Sequence, residues 1–208
     1  MTRQCVVVFA KVPRLGAVKT RLARDVGAVA AWRFYREASF SLLHELSADR
    51  RWSLRLDVTP DAGVAWRGWP RDVARRAQGP GDLGRRMRRA LRAAGAGPVV
   101  LVGSDIPQLR RRHIVRAFAA LARADVVFGP ANDGGFWLVG VRRPALASGL
   151  FADVRWSTPH ALADSLAGLP AACRVELVDV LVDVDSAADL RLLAPAARPA
   201  GAGSQRRG

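Results

Sequence analysis

One short stretch near the amino end, FAKVPRLGAVKTRL from Phe9 onward, contains both lysines of the chain, Lys11 and Lys19. Elsewhere the chain uses arginine as its cation. Gly16 allows the backbone to turn close to a ligand, and the lysines and Arg21 supply positive charge ahead of a predicted helix. These features indicate an anion-binding loop, with phosphate as the natural anion, although a solvated basic loop explains them about as well. The spacing is neither GxxxxGK[ST] nor GxGxxG, so the Walker and Rossmann motifs are excluded.

Carboxylates follow two apolar runs further along the chain. Asp105 follows PVVLVG and Ser104, and Asp185 directly follows the run VELVDVLVDV. A carboxylate in such a place is costly to desolvate unless it is paired or binds a metal, and Mg²⁺ takes one or two carboxylates together with water and substrate phosphates. Helix capping is the alternative, which suits Asp185 as well as metal binding does and suits Asp105 poorly. Asp183 lies on the same face as Asp185 and could replace it as the second ligand.

The segment GPANDGGFW between two predicted strands supports two interpretations. Asp-Gly-Gly suits a tight hairpin turn, which is a sufficient reason for the sequence. However, Gly134 and Gly135 would also let a ligand approach the backbone, and Asp133 would project from the same end of the sheet as Asp105. We therefore treat all three as candidate site residues.

Two further residues are open to a structural or a functional interpretation. Asp82 in QGPGDLGRRM either contacts a nucleobase or caps the basic helix that follows it. Trp156 in RWSTP either packs against the protein or forms a wall of the pocket. The sequence alone does not choose between these roles.

The elements that must position these residues alternate between valine-rich runs and segments of helical period, which predicts βαβ units, a mostly parallel sheet and the α/β class. Predicted strands are CVVVFA, WSLRLDV, PVVLVG, DVVFG, FWLVGV and VELVDVLVDV, and the second of them also fits a sheet edge. Helices are predicted near residue 20 and over residues 28–47, 110–122, 159–169 and 187–193. Ligands of open α/β sheets bind outside the carboxyl ends of the strands, so the loops with Lys19, Asp105 and Asp133 are expected to meet.

Length and composition narrow the class of protein. A chain of 208 residues with 50% hydrophobic residues suits one domain, predicted over residues 1–194, followed by a disordered tail over 195–208. No apolar run reaches the roughly 18 residues that span a bilayer, and no cleavage pattern follows the first one, so a soluble cytoplasmic protein without a membrane partner is expected. Cys5 and Cys173 have no CxxC or histidine partner, which argues against a disulfide framework or a zinc site.

The net charge of +15 raises the possibility of a nucleic-acid partner. The excess is almost all arginine in a chain rich in alanine and glycine, as a broad substitution bias would produce. The runs RRMRRALR and LRRRHIVR fit amphipathic helices with their cations facing water. Since no helix-turn-helix, finger or RNP motif is present, we do not expect such a partner, and a non-catalytic nucleic-acid binder is kept only as the alternative from another class.

Taken together and in order, these segments resemble the bacterial GT-A-fold transferases known as selenodomain-associated or arsenosugar-biosynthesis glycosyltransferases. The matching segments, which cover nearly the whole chain up to Leu193, are FAKVPRLGAVKTRLA, QGPGDLGRRM, GSDIPQL, GPANDGGFWLVG, WSTP and DVDSAADL. GSDIP and DVDSAADL are shared more widely, with molybdenum-cofactor and phospholactate nucleotidyltransferases. The chain departs from the family where Leu15 and Ala17 flank Gly16 in place of proline and arginine, and where Asn132 replaces a glutamate.

The resemblance implies a single three-layer α/β/α domain of the GT-A, nucleotide-diphospho-sugar transferase type, with Mg²⁺ or Mn²⁺ at Asp105 and Asp185 as the second candidate ligand. The expected activity is transfer of a sugar from a nucleotide-activated donor to a small acceptor, and the alternative is nucleotidyl transfer from an NTP with release of pyrophosphate. Candidate residues at the nucleotide are Lys11, Gly16, Lys19, Arg21, Asp82 and Ser104. Asp133 would orient or deprotonate the acceptor hydroxyl, as a catalytic residue together with Lys19 and Arg21, and Gly134, Gly135 and Trp156 would contact the acceptor. Donor, acceptor, stereochemistry and oligomeric state are not decided by the sequence.

Overall fold

The computed structural model describes residues 3–193. Within this range strands alternate with helices, so the predicted α/β class is confirmed. The predicted disordered tail, residues 195–208, lies outside the described residues.

The elements are numbered in chain order. The strands are β1 (Gln4–Lys11), β2 (Trp52–Thr59), β3 (Ala74–Ala77), β4 (Val99–Gly103), β5 (Val126–Pro130), β6 (Phe136–Val141) and β7 (Val175–Leu177). The α-helices are α1 (Thr20–Val26), α2 (Ala28–Ser47), α3 (Leu83–Arg92), α4 (Arg111–Leu121), α5 (Ala161–Ala167) and α6 (Ala187–Leu193), with 3-10 turns at Asp61–Ala65 and Pro144–Gly149. None of these helices combines the length and the apolar character that crossing a bilayer requires.

All the strands join one sheet in the order β3-β2-β1-β4-β6-β5-β7. Strand β6 runs antiparallel to β4 and β5, and the other neighbours are parallel, which confirms the prediction of a mostly parallel sheet. Val6, Val7 and Val8 in the central strand β1 are all fully buried. A continuous run of valine is expected where both faces of a parallel sheet are covered.

Helices cover the two faces of the sheet. On one face Leu43 of α2 and Ile114 of α4 share a buried cluster with Val6. On the other, Met87 of α3 shares a second cluster with Val7. The predicted three-layer arrangement is therefore confirmed, and each large buried side chain contributes about 1.5–3 kcal/mol by leaving water.

Two strand predictions are corrected. Strand β2 does not form an edge, because the four-residue strand β3, ARRA, pairs outside it. Three of those four residues are exposed, so the sequence has no hydrophobic pattern that predicts the strand. The run VELVDVLVDV is a strand only to Leu177, after which Leu181 makes a single bridge to Ala131. The interruption at Asp179 coincides with a tertiary contact, since its carbonyl accepts a hydrogen bond from the indole N–H of Trp137 (2.9 Å).

Helix α5 is shorter than predicted. It occupies Ala161–Ala167, whereas the pattern suggested residues 159–169. The two residues before it belong to a turn in which the backbone N–H of His160 donates to the hydroxyl of Thr158 (3.2 Å). Polar turns of this kind compete with the first helical hydrogen bonds, which delays the helix start.

Candidate active site

A cleft opens at the carboxyl ends of the parallel strands, where the loops after β1, β4 and β5 meet. It consists of two adjoining cavities of about 400 and about 450 Å³. The larger, called the polar compartment, is lined by residues that include Lys11, Lys19, Gln78, Arg86, Ser104 and Asp105. The other, called the apolar compartment, is lined by residues that include Leu83, Met87, Leu101, Phe136, Trp156 and Asp133. Five residues line both compartments: Phe9, Arg21, Leu83, Asp183 and Asp185. The three charged ones form the polar boundary between the compartments.

Lys19 meets three carboxylates at this boundary. Its Nζ lies 2.8 Å from Oδ2 of Asp105, 2.9 Å from Oδ1 of Asp183 and 3.1 Å from Oδ1 of Asp185. Only 5% of the lysine side chain is exposed. Arg21 adds a second cation, because its Nη1 donates to Oδ2 of Asp185 (3.0 Å). The first loop therefore contacts the loop after β4, as predicted, and it also contacts the segment after β7. We call these four residues, Lys19, Asp105, Asp183 and Asp185, the Lys19 cluster.

Local backbone structure positions two members of the cluster, Lys19 and Asp185. Lys19 precedes α1 with φ 45° and ψ 48°, a left-handed conformation that costs a residue with a Cβ roughly 1–3 kcal/mol. Asp185 is free for Lys19 because Asp189 caps α6 in its place. The Asp189 carboxylate accepts from the backbone N–H groups of Asp185 (3.0 Å) and Ser186 (2.8 Å), and the Ser186 hydroxyl accepts from the Asp189 N–H (3.3 Å). The capping role considered for Asp185 therefore belongs to Ser186 and Asp189.

The charges of the cluster shift one another's pKa values. Burial alone would lower the pKa of Lys19, but the charges of Asp105, Asp183 and Asp185 outweigh it and raise that pKa, which keeps the ammonium protonated. Burial raises the pKa of Asp183 to about 6, the charge of Asp105 adds to this effect, and Lys19 opposes it. Three carboxylates around one ammonium leave an excess of two negative charges, which Arg21 relieves at one oxygen only.

This donor set fits a divalent cation such as Mg²⁺ or Mn²⁺. Carboxylate oxygens from two separate loops meet with excess negative charge beside an open compartment. Within residues 3–193, no group of three or more His, Cys, Asp or Glu side chains is placed to hold a metal ion by itself. Mg²⁺ does not require one, because it takes one or two carboxylates and fills its other positions with water and substrate phosphates.

A buried hydrogen-bond network beneath the polar compartment joins the loop after β1 to the loop after β4. The backbone N–H of Lys11 donates to the Tyr35 hydroxyl (2.7 Å), which donates to the Lys11 carbonyl (3.1 Å). The Ser104 hydroxyl donates to Tyr35 (3.1 Å), and Ser39 donates to Ser104 (3.1 Å). Burial, followed by the charge of Asp105, raises the pKa of Tyr35, so the phenol stays neutral. Ser104 thus lines the compartment and also helps to fix its floor.

The remaining nucleotide candidates lie at different distances from the cleft. Lys11 and Arg21 line it. Gly16, with φ 76°, makes an exposed turn and lines neither compartment. Asp82 caps α3, since its carboxylate accepts from the backbone N–H of Arg85 (2.8 Å), and it also lines neither compartment. The capping interpretation of Asp82 has this direct support.

The residues of the turn after β5 have different roles: some line the apolar compartment, and one serves the packing of the turn. Asp133 and Gly135 line the apolar compartment, and Oδ1 of Asp133 accepts from the Gly135 N–H (2.9 Å). Gly134 has φ 84°, and a Cβ there would lie 2.2 Å from the Pro159 carbonyl oxygen, so this glycine serves the packing of the turn. Trp156 lines the compartment and packs edge-on against Phe136.

Several lining residues were not predicted from the sequence. Gln78 is buried and donates to the Asp57 carbonyl (3.0 Å), and Arg86 of α3 also lines the polar compartment. Gln78 directly follows β3, and because the sequence of β3 shows no hydrophobic pattern, nothing placed Gln78 at a strand end. Tyr35 lies on the buried face of α2, and a buried phenol usually finds a hydrogen-bond partner. That expectation was the signal available for Tyr35.

Three solved structures with the same fold have names that refer to nucleotides or nucleotide sugars. One from Desulfovibrio desulfuricans G20, described as a "putative nucleotide-diphospho-sugar transferase", is 30% identical, with a TM-score of 0.75 over 93% of this chain and 87% of that one. The 4-diphosphocytidyl-2C-methyl-D-erythritol synthase of Anaerococcus prevotii DSM 20548 is 10% identical, with a TM-score of 0.57 over 91% and 95%. A mannosyltransferase of Pyrobaculum calidifontis, solved with GDP-Man and Mn²⁺, is 16% identical, with a TM-score of 0.51 over 88% and 56%. The last two are too distant to show more than a common fold.

Sequence comparisons place the chain in a family. A search of curated proteins gave no match. The profile of DUF2064, described as "Uncharacterized protein conserved in bacteria", matches residues 42–158. This match covers more than half of the chain, and it includes the loop with Asp105 and the turn with Asp133. The protein belongs to the DUF2064 family.

Proposed function

We propose that the protein is a divalent-metal-dependent transferase that uses a nucleotide-activated donor, most directly a glycosyltransferase that moves a sugar from an NDP-sugar to a small acceptor. The observation that carries this proposal is the Lys19 cluster, in which a buried ammonium and three carboxylates meet between a polar and an apolar compartment. The likeness to the Desulfovibrio protein supports it.

The polar compartment has the charges that a bound diphosphate requires. Lys11, Lys19, Arg21 and Arg86 all line it. A divalent cation held by Asp105 with Asp183 or Asp185 would neutralise further negative charge on the leaving diphosphate. Preorganised charge of this kind is often the largest catalytic contribution, and loss of one donor typically costs about a hundredfold in rate.

The apolar compartment would take the acceptor, with Asp133 at its wall. The acceptor hydroxyl oxygen would bond to the anomeric carbon as the bond from that carbon to the diphosphate breaks. The nucleoside diphosphate would leave with the electron pair, and the hydroxyl proton would pass to the Asp133 carboxylate. The carboxylate already has one oxygen fixed by the Gly135 N–H, which limits its orientation.

A second activity is favoured by the same first loop. A cluster of lysine and arginine beside a metal site also suits an NTP, with attack at the α-phosphate and release of pyrophosphate. The narrower assignment, to the selenodomain-associated or arsenosugar-biosynthesis transferases, likewise stays a proposal, supported by the segments FAKVPRLGAVKTRLA and GPANDGGFWLVG.

Product analysis tests the proposal. The protein is incubated with Mg²⁺ or Mn²⁺ and with separate NTPs and NDP-sugars, and nucleoside diphosphate and pyrophosphate are measured. Release of nucleoside diphosphate supports sugar transfer, and release of pyrophosphate supports the second activity.

We expect Asp105→Asn and Lys19→Met each to lose about a hundredfold or more in rate. Arg14→Met is the control, because Arg14 is exposed and lines neither compartment. Full activity of Asp105→Asn would refute the metal assignment.

A further inference from the structure

We propose that the acceptor is a molecule with a flat apolar body and one nucleophilic hydroxyl, and that the wall around Trp156 selects it against polyols of similar size. This inference rests on the proposed function and adds the chemical class of the acceptor. It comes from the composition, rigidity and orientation of the apolar compartment.

Aromatic rings form one side of that compartment. Phe136 stacks on Phe151 with ring centroids 6.0 Å apart and planes at 8°. Trp156 meets Phe136 edge-on at 6.2 Å and 67°, and it meets Phe151 at 5.6 Å and 63°. Leu83, Met87 and Leu101 also line the cavity. Apolar side chains supply dispersion contacts and no hydrogen bonds, so they suit a flat apolar ligand surface and leave ligand hydroxyls unpaired.

The segment that carries Trp156 is held in an unusual backbone conformation. Phe151, Asp153 and Ser157 have φ values of 64°, 52° and 61°. Strain of this kind persists only where the surroundings fix it. Arg155 provides one such restraint, because its Nε and Nη2 donate to the Asp164 carboxylate of α5 at 2.8 and 2.7 Å.

Helix α3 provides a second restraint on the wall. Gly84 lets α3 approach so closely that a Cβ at this position would lie 2.8 Å from Cζ2 of Trp156 and 2.9 Å from Cβ of Phe151. The ring is thus held in position before any ligand binds. A preformed wall favours ligands of matching shape, because little conformational freedom is lost on binding.

Charged groups concentrate where the compartment borders the Lys19 cluster. Asp183, Asp185 and Arg21 form this boundary. Asp133 belongs to the same end, since its neighbour Asn132 accepts from the backbone N–H of Asp183 (3.1 Å). A ligand whose hydroxyl lies at the boundary and whose apolar body packs against Trp156 matches both the charged and the aromatic end of the compartment. The segment also contributes the hydroxyl of Thr158, which already donates to the Arg155 carbonyl (2.7 Å).

Binding of two probes tests the inference on the full chain. Naphthalen-2-ylmethanol is a flat aromatic alcohol, and myo-inositol is a polyol of comparable size. Ligand-observed NMR with UDP and Mg²⁺ present is expected to show binding of the aromatic alcohol at least tenfold tighter than that of the polyol. Trp156→Ala should remove most of this binding, and Trp156→Phe should retain it. Equal or tighter binding of myo-inositol, or an unchanged affinity in Trp156→Ala, would overturn the inference.

A second variant guards against misfolding of Trp156→Ala. Ser157 is exposed and lines the apolar compartment but not the polar one, so Ser157→Asp places a charge on the apolar wall without opening the core. It should weaken the aromatic alcohol at least tenfold and leave UDP binding within about twofold. Nucleotide binding with Mn²⁺ is measured separately. If nucleotides bind and the aromatic alcohol does not, the inference alone fails. If the aromatic alcohol binds and no nucleotide does, the proposed function fails, and with it the assignment of this ligand as an acceptor.

Discussion

Tyr35 shows how a single hydroxyl ties together loops of opposite charge. It bonds both backbone groups of Lys11 and accepts from Ser104, the residue before Asp105. The first loop carries the cations, and the loop after β4 carries the carboxylate that meets Lys19. The relative position of the two loops therefore depends on one buried phenol.

Tyr35→Phe should loosen this junction without emptying the core, because the ring is retained. The Lys11 N–H and the Ser104 hydroxyl would lose their acceptor, at a cost of about 1–3 kcal/mol. The KM for the nucleotide donor should rise several-fold, with a smaller change in kcat. Ser39→Ala is the control, because it removes only the bond at the far end of the network. Steady-state kinetics and melting curves of both variants check this, and an unchanged KM in Tyr35→Phe would contradict the positioning role.

At the level of residues, the sequence predicted the site residues that lie at or after the carboxyl ends of strands. Lys19, Asp105 and Asp185 follow or end valine-rich runs, and parallel strands bring their carboxyl ends to one edge. It did not separate Asp185 from Asp183, because the choice depends on which carboxylate the cap at Asp189 leaves free. In the structure both contact Lys19.

At the scale of elements, the turn between β5 and β6 depends on a close backbone approach. Gly134 lies against Pro159, and its carbonyl accepts from the N–H of Leu162 in α5 (3.1 Å). The turn that carries Asp133 is thereby held to the segment that follows Trp156. Loops fixed to one another in this way keep catalytic groups in position.

Gly134→Ala should disturb this contact. The positive φ costs about 1–2 kcal/mol for alanine, and the Cβ would collide with the Pro159 carbonyl. We expect the melting temperature to fall by at least about 2–4 °C, which corresponds to about 1 kcal/mol in a chain of this size. Gly149→Ala is the matched control, since a Cβ there meets open space. Calorimetric scans of the two variants decide the matter, and equal melting temperatures would contradict the prediction.

Elements with strong hydrophobic patterns were predicted, and those fixed by tertiary contacts were not. The valine runs of β1 and β4 and the long helix α2 have patterns that local sequence displays. Strand β3 exists because β2 offers it a free edge, which no window of the sequence records. The break after β7 depends on Trp137, a residue about 40 positions away, so local periodicity overestimated that strand.

At the scale of the whole molecule, the charge of +15 is spread and partly paired. Arg116 pairs with Asp179, Arg123 with Glu176, Arg142 and Arg174 with Asp125, and Arg155 with Asp164. Paired arginines have less capacity to release counterions from a nucleic acid. We therefore expect the protein to attract polyanions such as nucleic acids only weakly.

Duplex DNA binding should accordingly be weak and dominated by salt. Its affinity is expected to fall by about a hundredfold or more between about 50 and about 200 mM salt. Asp105→Asn should not weaken it, since the carboxylate faces the cluster. Fluorescence anisotropy over a salt series measures both. Tight binding that persists at about 200 mM salt would instead support the nucleic-acid alternative and remove a reason for the transferase assignment.

The scarcity of lysine makes the cleft chemically addressable. Lys11 and Lys19 carry the only side-chain amines of the chain, and both line the polar compartment. The side chains that an amine-directed acylating reagent can modify are therefore the two lysines of the cleft. Lys11 is exposed and should be acylated first, while Lys19, enclosed by its carboxylates, should resist. Peptide mass mapping would then report whether the ammonium ever leaves its three partners.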